Sequence, residues 1–216
     1  MTAGLLPATL RLLAVAGLLF AVPAALHAKE DADLVEIRAL DSRIVVDLPY
    51  ATRNNFTGTA VYKSSRCYLR RAVAVNLAAV QTELEKSGCG LKVWDGYRPL
   101  SVQKKFWALV PDVRYVASPA KGSRHNRGAA VDVTLTDRAG HELEMPTKFD
   151  DFSPRAAANA PCDSPAALAN RQRLQQAMTA HGFQIFATEW WHFDAVGWEK
   201  YPVLDLDPEA VPAPKP

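Results

Sequence analysis

Two short segments carry residue types that can hold a metal and cleave a bond beside it. One is Ser123-Arg124-His125-Asn126-Arg127-Gly128-Ala129-Ala130-Val131-Asp132. The other is Glu189-Trp190-Trp191-His192. His125, Asp132 and His192 offer two neutral imidazoles and one carboxylate. That set suits zinc, and three protein ligands leave a fourth position open, which marks a catalytic rather than a structural site. Glu189 is unligated and lies three residues before His192, where it can serve as the base that a water at the open position needs. The chemistry indicated is hydrolysis, and the expectation is a zinc peptidase with one zinc ion per chain.

Each of these residues also has an ordinary structural explanation. A carboxylate inside Ala129-Ala130-Val131-Asp132-Val133-Thr134-Leu135 is costly if its strand is buried, unless it is paired or bound to metal. A buried aspartate bonded to the neighbouring loop would meet that need without a metal. His125 tips the balance, because Gly128 lets the chain turn and bring the imidazole back over the strand. His192, beside two tryptophans, can equally be a packed core histidine. In a straight strand Glu189 and His192 would face opposite sides, so a shared site requires a bend or bulge between them. Arg98 lies in the turn Asp95-Gly96-Tyr97-Arg98-Pro99. It is either a surface ion-pair partner of Asp95 or a cation placed to hold an oxyanion. His141 reads as loop surface, His181 as a helix C-terminus that suits a cation, and Arg70-Arg71 as a solvated helix face.

The segments Ser123-x-His125-x-x-Gly128-x-Ala130-x-Asp132, Trp94-Asp95-Gly96-Tyr97-Arg98-Pro99 and Glu189-Trp190-Trp191-His192 resemble those of the D-alanyl-D-alanine dipeptidase family, the VanX type. Tyr50-Ala51-Thr52, Asn55-Phe56-Thr57-Gly58 and Phe149-Asp150 match as well, and the resemblance runs in order over roughly residues 44–201. It implies zinc on His125, Asp132 and His192. It implies Glu189 as the base that activates water and then protonates the leaving amine, and Arg98 as the group that polarises the scissile carbonyl and holds the oxyanion. Asp150 would receive the substrate's ammonium, while Ser123 and Tyr50 line a small pocket. The implied fold is a compact α+β domain shared with other D,D-peptidases and hedgehog signalling domains. The implied reaction is hydrolysis of the D-alanyl-D-alanine dipeptide to two D-alanines. The nearest alternative is a peptidoglycan carboxypeptidase or endopeptidase; Asp150, as a partner for a free amino terminus, favours dipeptides. The alternative from another class is a non-catalytic, zinc-stabilised binding module. Glu189 together with Arg98 speaks against it, because binding alone needs neither.

The elements that must position these residues are legible in outline. Helices are expected over 69–86, over 101–109 with Ser101 as N-cap, and from Ser164 and Pro165 to Gly182. Strands are expected near 34–37, 44–48, 91–94, 129–135, 183–186 and 190–193. These interleave without regular βαβ spacing, which predicts a single α+β domain with a mainly antiparallel sheet, flanking helices and the zinc site at the sheet.

The chain has 216 residues and a net charge of +2, so one domain is expected and nothing electrostatic points to nucleic acid. Residues 1–28 contain Arg11, no acidic residue, an apolar run from Leu12 to Val22 and small residues ending at Ala28. They read as a secretory signal, too short to span a membrane comfortably. The expected mature protein is periplasmic or secreted, without stable membrane association, and this address suits wall-peptide turnover or scavenging. The domain is expected over 29–206, followed by a disordered Pro/Ala-rich tail over 207–216. Of Cys67, Cys89 and Cys162 at least one must be a free thiol. A Cys67–Cys89 bridge is disfavoured because a helix separates the two.

Overall fold

The computed structural model describes Met1 and residues 33–211. The secretory signal read in residues 1–28 therefore lies, apart from Met1, outside the described residues. In chain order the strands are β1 (Leu34–Glu36), β2 (Val45–Val46), β3 (Tyr68–Arg70), β4 (Gly90–Asp95), β5 (Ala130–Thr136), β6 (Phe183–Ile185) and β7 (His192–Ala195). The helices are α1 (Ile37–Leu40), α2 (Arg71–Glu85), α3 (Leu100–Leu109) and α4 (Pro165–Ala180).

A five-stranded sheet in the order β2-β4-β5-β7-β6 is the frame, and β1 pairs with β3 beside it. Only the β2–β4 pair is parallel; the other pairs are antiparallel. This is the expected α+β architecture. Strand β5 is central and buried along its whole length. Because side chains alternate across a strand, Val131, Val133 and Leu135 enter the main apolar cluster with Leu77, Val80 and Leu84 of α2 and Leu174 and Met178 of α4. Each fully buried leucine there contributes about 1.5–3 kcal/mol. The same alternation leaves Asp132 on the opposite face, so the burial that builds the core also presents the carboxylate to the site.

Helix α4 starts as its sequence dictates. The Ser164 hydroxyl accepts the Ala167 N–H at 3.2 Å, Pro165 opens the first turn, and Gly182 follows the end at φ +83°. Other boundaries differ from expectation. Residues 68–70 are strand, and α2 begins at Arg71. Its buried stripe is Val73, Leu77, Val80 and Leu84, while Val75 is exposed. Ala72, Val75 and Ala78 extend the apolar surface of the helix beyond that stripe, so contact with the sheet selects which part is buried. Helix α3 begins at Leu100 with Pro99 in the cap position. The Ser101 N–H is accepted instead by Asp205 Oδ1 at 2.7 Å, so Ser101 is not the cap. Val102 and Phe106 are buried, while Leu109 is exposed in the last turn.

Two further expectations are corrected. Arg70 is buried, donates to the carbonyls of Arg127 and Pro202 and lies over the Tyr201 ring, because β3 turns it inward before the helix begins. The tail is structured further than expected. Asp207 caps the turn Pro208–Ala210 and pairs with Lys63, and Val211 buries against Tyr68 and Tyr97. The Pro/Ala-rich composition conceals that one apolar anchor. Cys67, Cys89 and Cys162 are all free thiols.

Candidate active site

Sheet register places Asp132 opposite Asp95 of β4 on one side and opposite His192 of β7 on the other. Three adjacent strands thus set Asp95, Asp132 and His192 in one row. His125 comes from outside the sheet, on the short turn His125–Arg127, which Gly128 ends in the left-handed region at φ +65°. A Cβ on Gly128 would sit 2.7 Å from Leu34 Cδ2 and 3.3 Å from the Arg70 nitrogen. Both conformation and space therefore demand glycine there.

His125 Nε2, His192 Nδ1 and Asp132 Oδ1 converge. The two nitrogens are 3.1 Å apart, and the carboxylate oxygen is 3.0 Å from His192 Nδ1 and 3.4 Å from His125 Nε2. The outer nitrogens are both engaged. His125 Nδ1 lies 2.8 Å from the Gly96 carbonyl, and His192 Nε2 lies 2.9 Å from Asp194 Oδ1. With the outer N–H groups held by those acceptors, each inner nitrogen can present a lone pair to a metal at the shared point. Without a metal, burial of His192 is outweighed by its hydrogen bonds to Asp132 and Asp194, which raise it to about 10, so a proton takes that place. Among the described residues these three form a buried group able to hold a metal ion.

Glu189 reaches the same point. The His192 N–H meets the Glu189 carbonyl across a tight turn at 3.4 Å, and β7 starts only at His192, not at Trp190 as expected. This turn is the required bend, and it brings Glu189 Oε2 within 3.9 Å of His192 Nδ1. Trp190 and Trp191, within the turn, are both buried in the main apolar cluster and meet edge to face at 5.4 Å. Burial pushes the Glu189 carboxyl up to about 8, against the pull of His192.

Arg98 is no surface ion-pair partner. Its Nε and Nη2 donate to Asp95 Oδ2 at 3.0 and 2.5 Å, its Nη1 donates to Gln103 Oε1 at 2.9 Å, and Nη2 lies 4.0 Å from Asp132 Oδ2. Asp95 is fully buried and also accepts from the Tyr62 hydroxyl at 2.7 Å. The guanidinium is thus fixed in orientation beside the His125–Asp132–His192 triangle. Asp150, at φ +57°, accepts the Tyr50 hydroxyl on both oxygens at 2.9 and 3.0 Å. Burial pushes its carboxyl up to about 7. Ser123 is buried, and its hydroxyl accepts the His125 N–H at 3.2 Å. A cavity of about 100 Å³ is lined by all eight expected site residues: Tyr50, Arg98, Ser123, His125, Asp132, Asp150, Glu189 and His192.

Residues 30–205 match the family model Peptidase_M15, D-ala-D-ala dipeptidase. The chain belongs to this family.

Among its relatives is the D-alanyl-D-alanine dipeptidase of Escherichia coli (strain K12), 37% identical over 172 residues, 80% of this chain and 89% of that protein. The D-alanyl-D-alanine dipeptidase of Enterococcus faecalis (strain ATCC 700802 / V583) is 34% identical over 180 residues, 72% of this chain and 87% of that one. That of Streptomyces coelicolor (strain ATCC BAA-471 / A3(2) / M145) is 34% identical over 195 residues, with 74% and 90% covered. The chain is accordingly a metallopeptidase of the D-alanyl-D-alanine dipeptidase family.

Sequence reasoning missed several parts of this dipeptidase site. Asp194 was visible in principle, since His192 and Asp194 are two apart and so share one face of a strand. Gln103, which fixes Arg98 and donates to the Ala117 carbonyl at 2.7 Å, carries no local signal, nor do Arg124 and Phe186 in the cavity wall.

Proposed function

We propose that the protein hydrolyses the D-alanyl-D-alanine dipeptide with one zinc ion held by His125, Asp132 and His192. The observation that carries this reading is the convergence of three buried ligand atoms on one point, with Glu189 and Arg98 beside it. Ligand bonds of about 2.0–2.1 Å around tetrahedral zinc imply edges of about 3.3 Å, close to the 3.0, 3.1 and 3.4 Å of this triangle. A bound zinc ion would supply Lewis acidity, acidifying water and polarising a carbonyl.

The chain's own groups supply the rest. Glu189 takes the proton of the attacking water and returns it to the leaving amine, as a carboxyl buried beside the reacting centre is suited to do. Arg98, locked by Asp95 and Gln103, offers fixed positive charge to the oxyanion without needing to reorganise. Asp150 receives the substrate ammonium and, with Tyr50, orients it. A part-buried carboxylate in a small cavity selects a free amino terminus, which favours a dipeptide over a wall stem peptide. The export signal read from residues 1–28 supports a periplasmic or secreted role in wall-peptide turnover or scavenging.

The test is release of D-alanine from D-alanyl-D-alanine. Activity should vanish with a chelator and return with stoichiometric zinc. Full activity in protein shown to hold no metal would remove the zinc reading.

A further inference from the structure

We propose that Asn126 is a positioning residue that sets Arg98 against His125, because one buried side-chain amide holds the backbone of both segments. The inference rests on the dipeptidase reading and deepens it, naming the group that fixes the cation of that site relative to its metal ligands.

Arg98 is held at two levels. Asp95 and Gln103 lock its guanidinium at the tip. Those contacts set the direction of the side chain. They leave the place of its backbone open, since Asp95 begins the same turn and Gln103 stands on α3, which follows it. The backbone is held from outside the turn. The Arg98 N–H donates to the His125 carbonyl at 3.1 Å, and the Arg98 carbonyl accepts Asn126 Nδ2 at 2.8 Å. Pro99, the next residue, has no N–H to add.

The same amide holds the metal-ligand segment. Asn126 Oδ1 accepts the Ser123 N–H at 2.7 Å, and the Ser123 hydroxyl accepts the His125 N–H at 3.2 Å. Asn126 is fully buried. A backbone N–H can only donate and a carbonyl can only accept, so the amide has one satisfied orientation. Its main chain adds a third tie. The Asn126 carbonyl accepts the Leu204 N–H at 2.8 Å, and the Leu204 carbonyl accepts the Leu100 N–H at 3.2 Å. The chain beyond β7 thus bridges the His125 turn to the start of α3. Asn126 is not among the residues that line the cavity, so it acts through Arg98 rather than on substrate. Asparagine suits this joint by chemistry. Aspartate has the same shape and keeps the acceptor for Ser123, but it has no N–H for the Arg98 carbonyl. Serine is one bond shorter and offers one group where the amide offers two.

The experiment measures hydrolysis of D-alanyl-D-alanine and zinc affinity for the wild type, Asn126→Asp, Arg98→Gln and the double variant. Zinc affinity is read by competition against a chromophoric chelator, and circular dichroism reports the fold of each protein. Asn126→Asp should keep wild-type zinc affinity and KM while kcat falls roughly 10- to 100-fold, the cost of displacing a catalytic group by about 1 Å. In the Arg98→Gln background, followed in single turnovers, the same change should add no further loss, because substitutions that act through one group are not additive. If Asn126→Asp fails to fold, Asn126→Ser carries the same test with the same split expected. Wild-type kcat in either folded variant would overturn the assignment. So would a fall in zinc affinity in step with activity, or equal losses with and without the Arg98 guanidinium, and Asn126 would then be a structural member of the His125 turn. A wild type that does not hydrolyse the dipeptide would bring down the dipeptidase reading, and this inference with it.

Discussion

The Tyr50 hydroxyl donates to both oxygens of Asp150, at 2.9 and 3.0 Å, although the two residues are a hundred positions apart. A buried carboxylate with a single neutral donor is incompletely satisfied, and a substrate ammonium completes it. Asp150→Asn should therefore lose most hydrolysis of free D-alanyl-D-alanine while narrowing the gap to the N-acetyl dipeptide. A site built around a polar group rejects analogues lacking it by about 10⁴-fold. Comparable kcat/KM for free and acetylated dipeptide in the wild type would instead establish the carboxypeptidase alternative.

The same residue predicts a pH dependence. Burial raises the Asp150 carboxyl to about 7, so it is ionised only above that pH. The substrate ammonium persists up to about 8. Productive pairing requires both charges and the base Glu189 must also be ionised, so kcat/KM should rise as pH increases through about 7 to 8 and fall once the amine deprotonates. Because the folded state holds this proton where the unfolded chain has lost it, Asp150 weakens stability as pH rises from about 4 to 7. In Asp150→Asn the acidic limb assigned to this group should disappear from the pH profile.

Glu189→Gln should keep fold and metal but lose about 10²–10⁴-fold in kcat, the usual cost of removing a general base. The side chain is part-buried, 3.9 Å from His192 Nδ1, and is not one of the three residues proposed to hold zinc, so metal analysis should match the wild type. Wild-type turnover in the zinc-loaded variant would take Glu189 out of the mechanism.

Asp194→Ala should weaken zinc binding about 10- to 100-fold, because the acceptor that holds His192 Nε2–H is lost and the ring is free to rotate. Competition against a chromophoric chelator measures this directly. Asp194→Asn, which can still accept that hydrogen bond, should fall between. His125→Ala should lose tight zinc binding altogether, and retention of wild-type affinity would refute the ligand set.

Asp95 is fully buried and bonded to Arg98, Tyr62 and the Gly96 N–H. Removing it strands a buried guanidinium, which costs about 3–5 kcal/mol. Asp95→Ala should shift the urea midpoint accordingly and also abolish activity, since Arg98 loses its anchor. A variant with unchanged stability would show that Arg98 finds another partner.

The sequence by itself indicated the α+β class, and it singled out His125, Asp132 and His192 as candidate zinc ligands and Glu189 as the candidate base. His125, Asp132 and His192 are the right donors for zinc, and an aspartate within a β-branched apolar strand is too costly to lack a partner. It also located the capped helix α4, where Ser164, Pro165 and Gly182 act locally. What local pattern could not decide was orientation and partnership. The turn that swings Glu189 onto the face of His192 depends on where Trp190 and Trp191 bury. The conversion of Arg98 from a plausible surface pair into a locked cation depends on Gln103 and on the register that seats Asp95 beside Asp132. Arg70 and Val211 were misread because their burial arises from contacts distant in sequence. The tertiary structure alone fixed Arg98 through Gln103 and brought Asp150 to Tyr50, since both depend on which side chains distant in sequence the folded chain sets side by side.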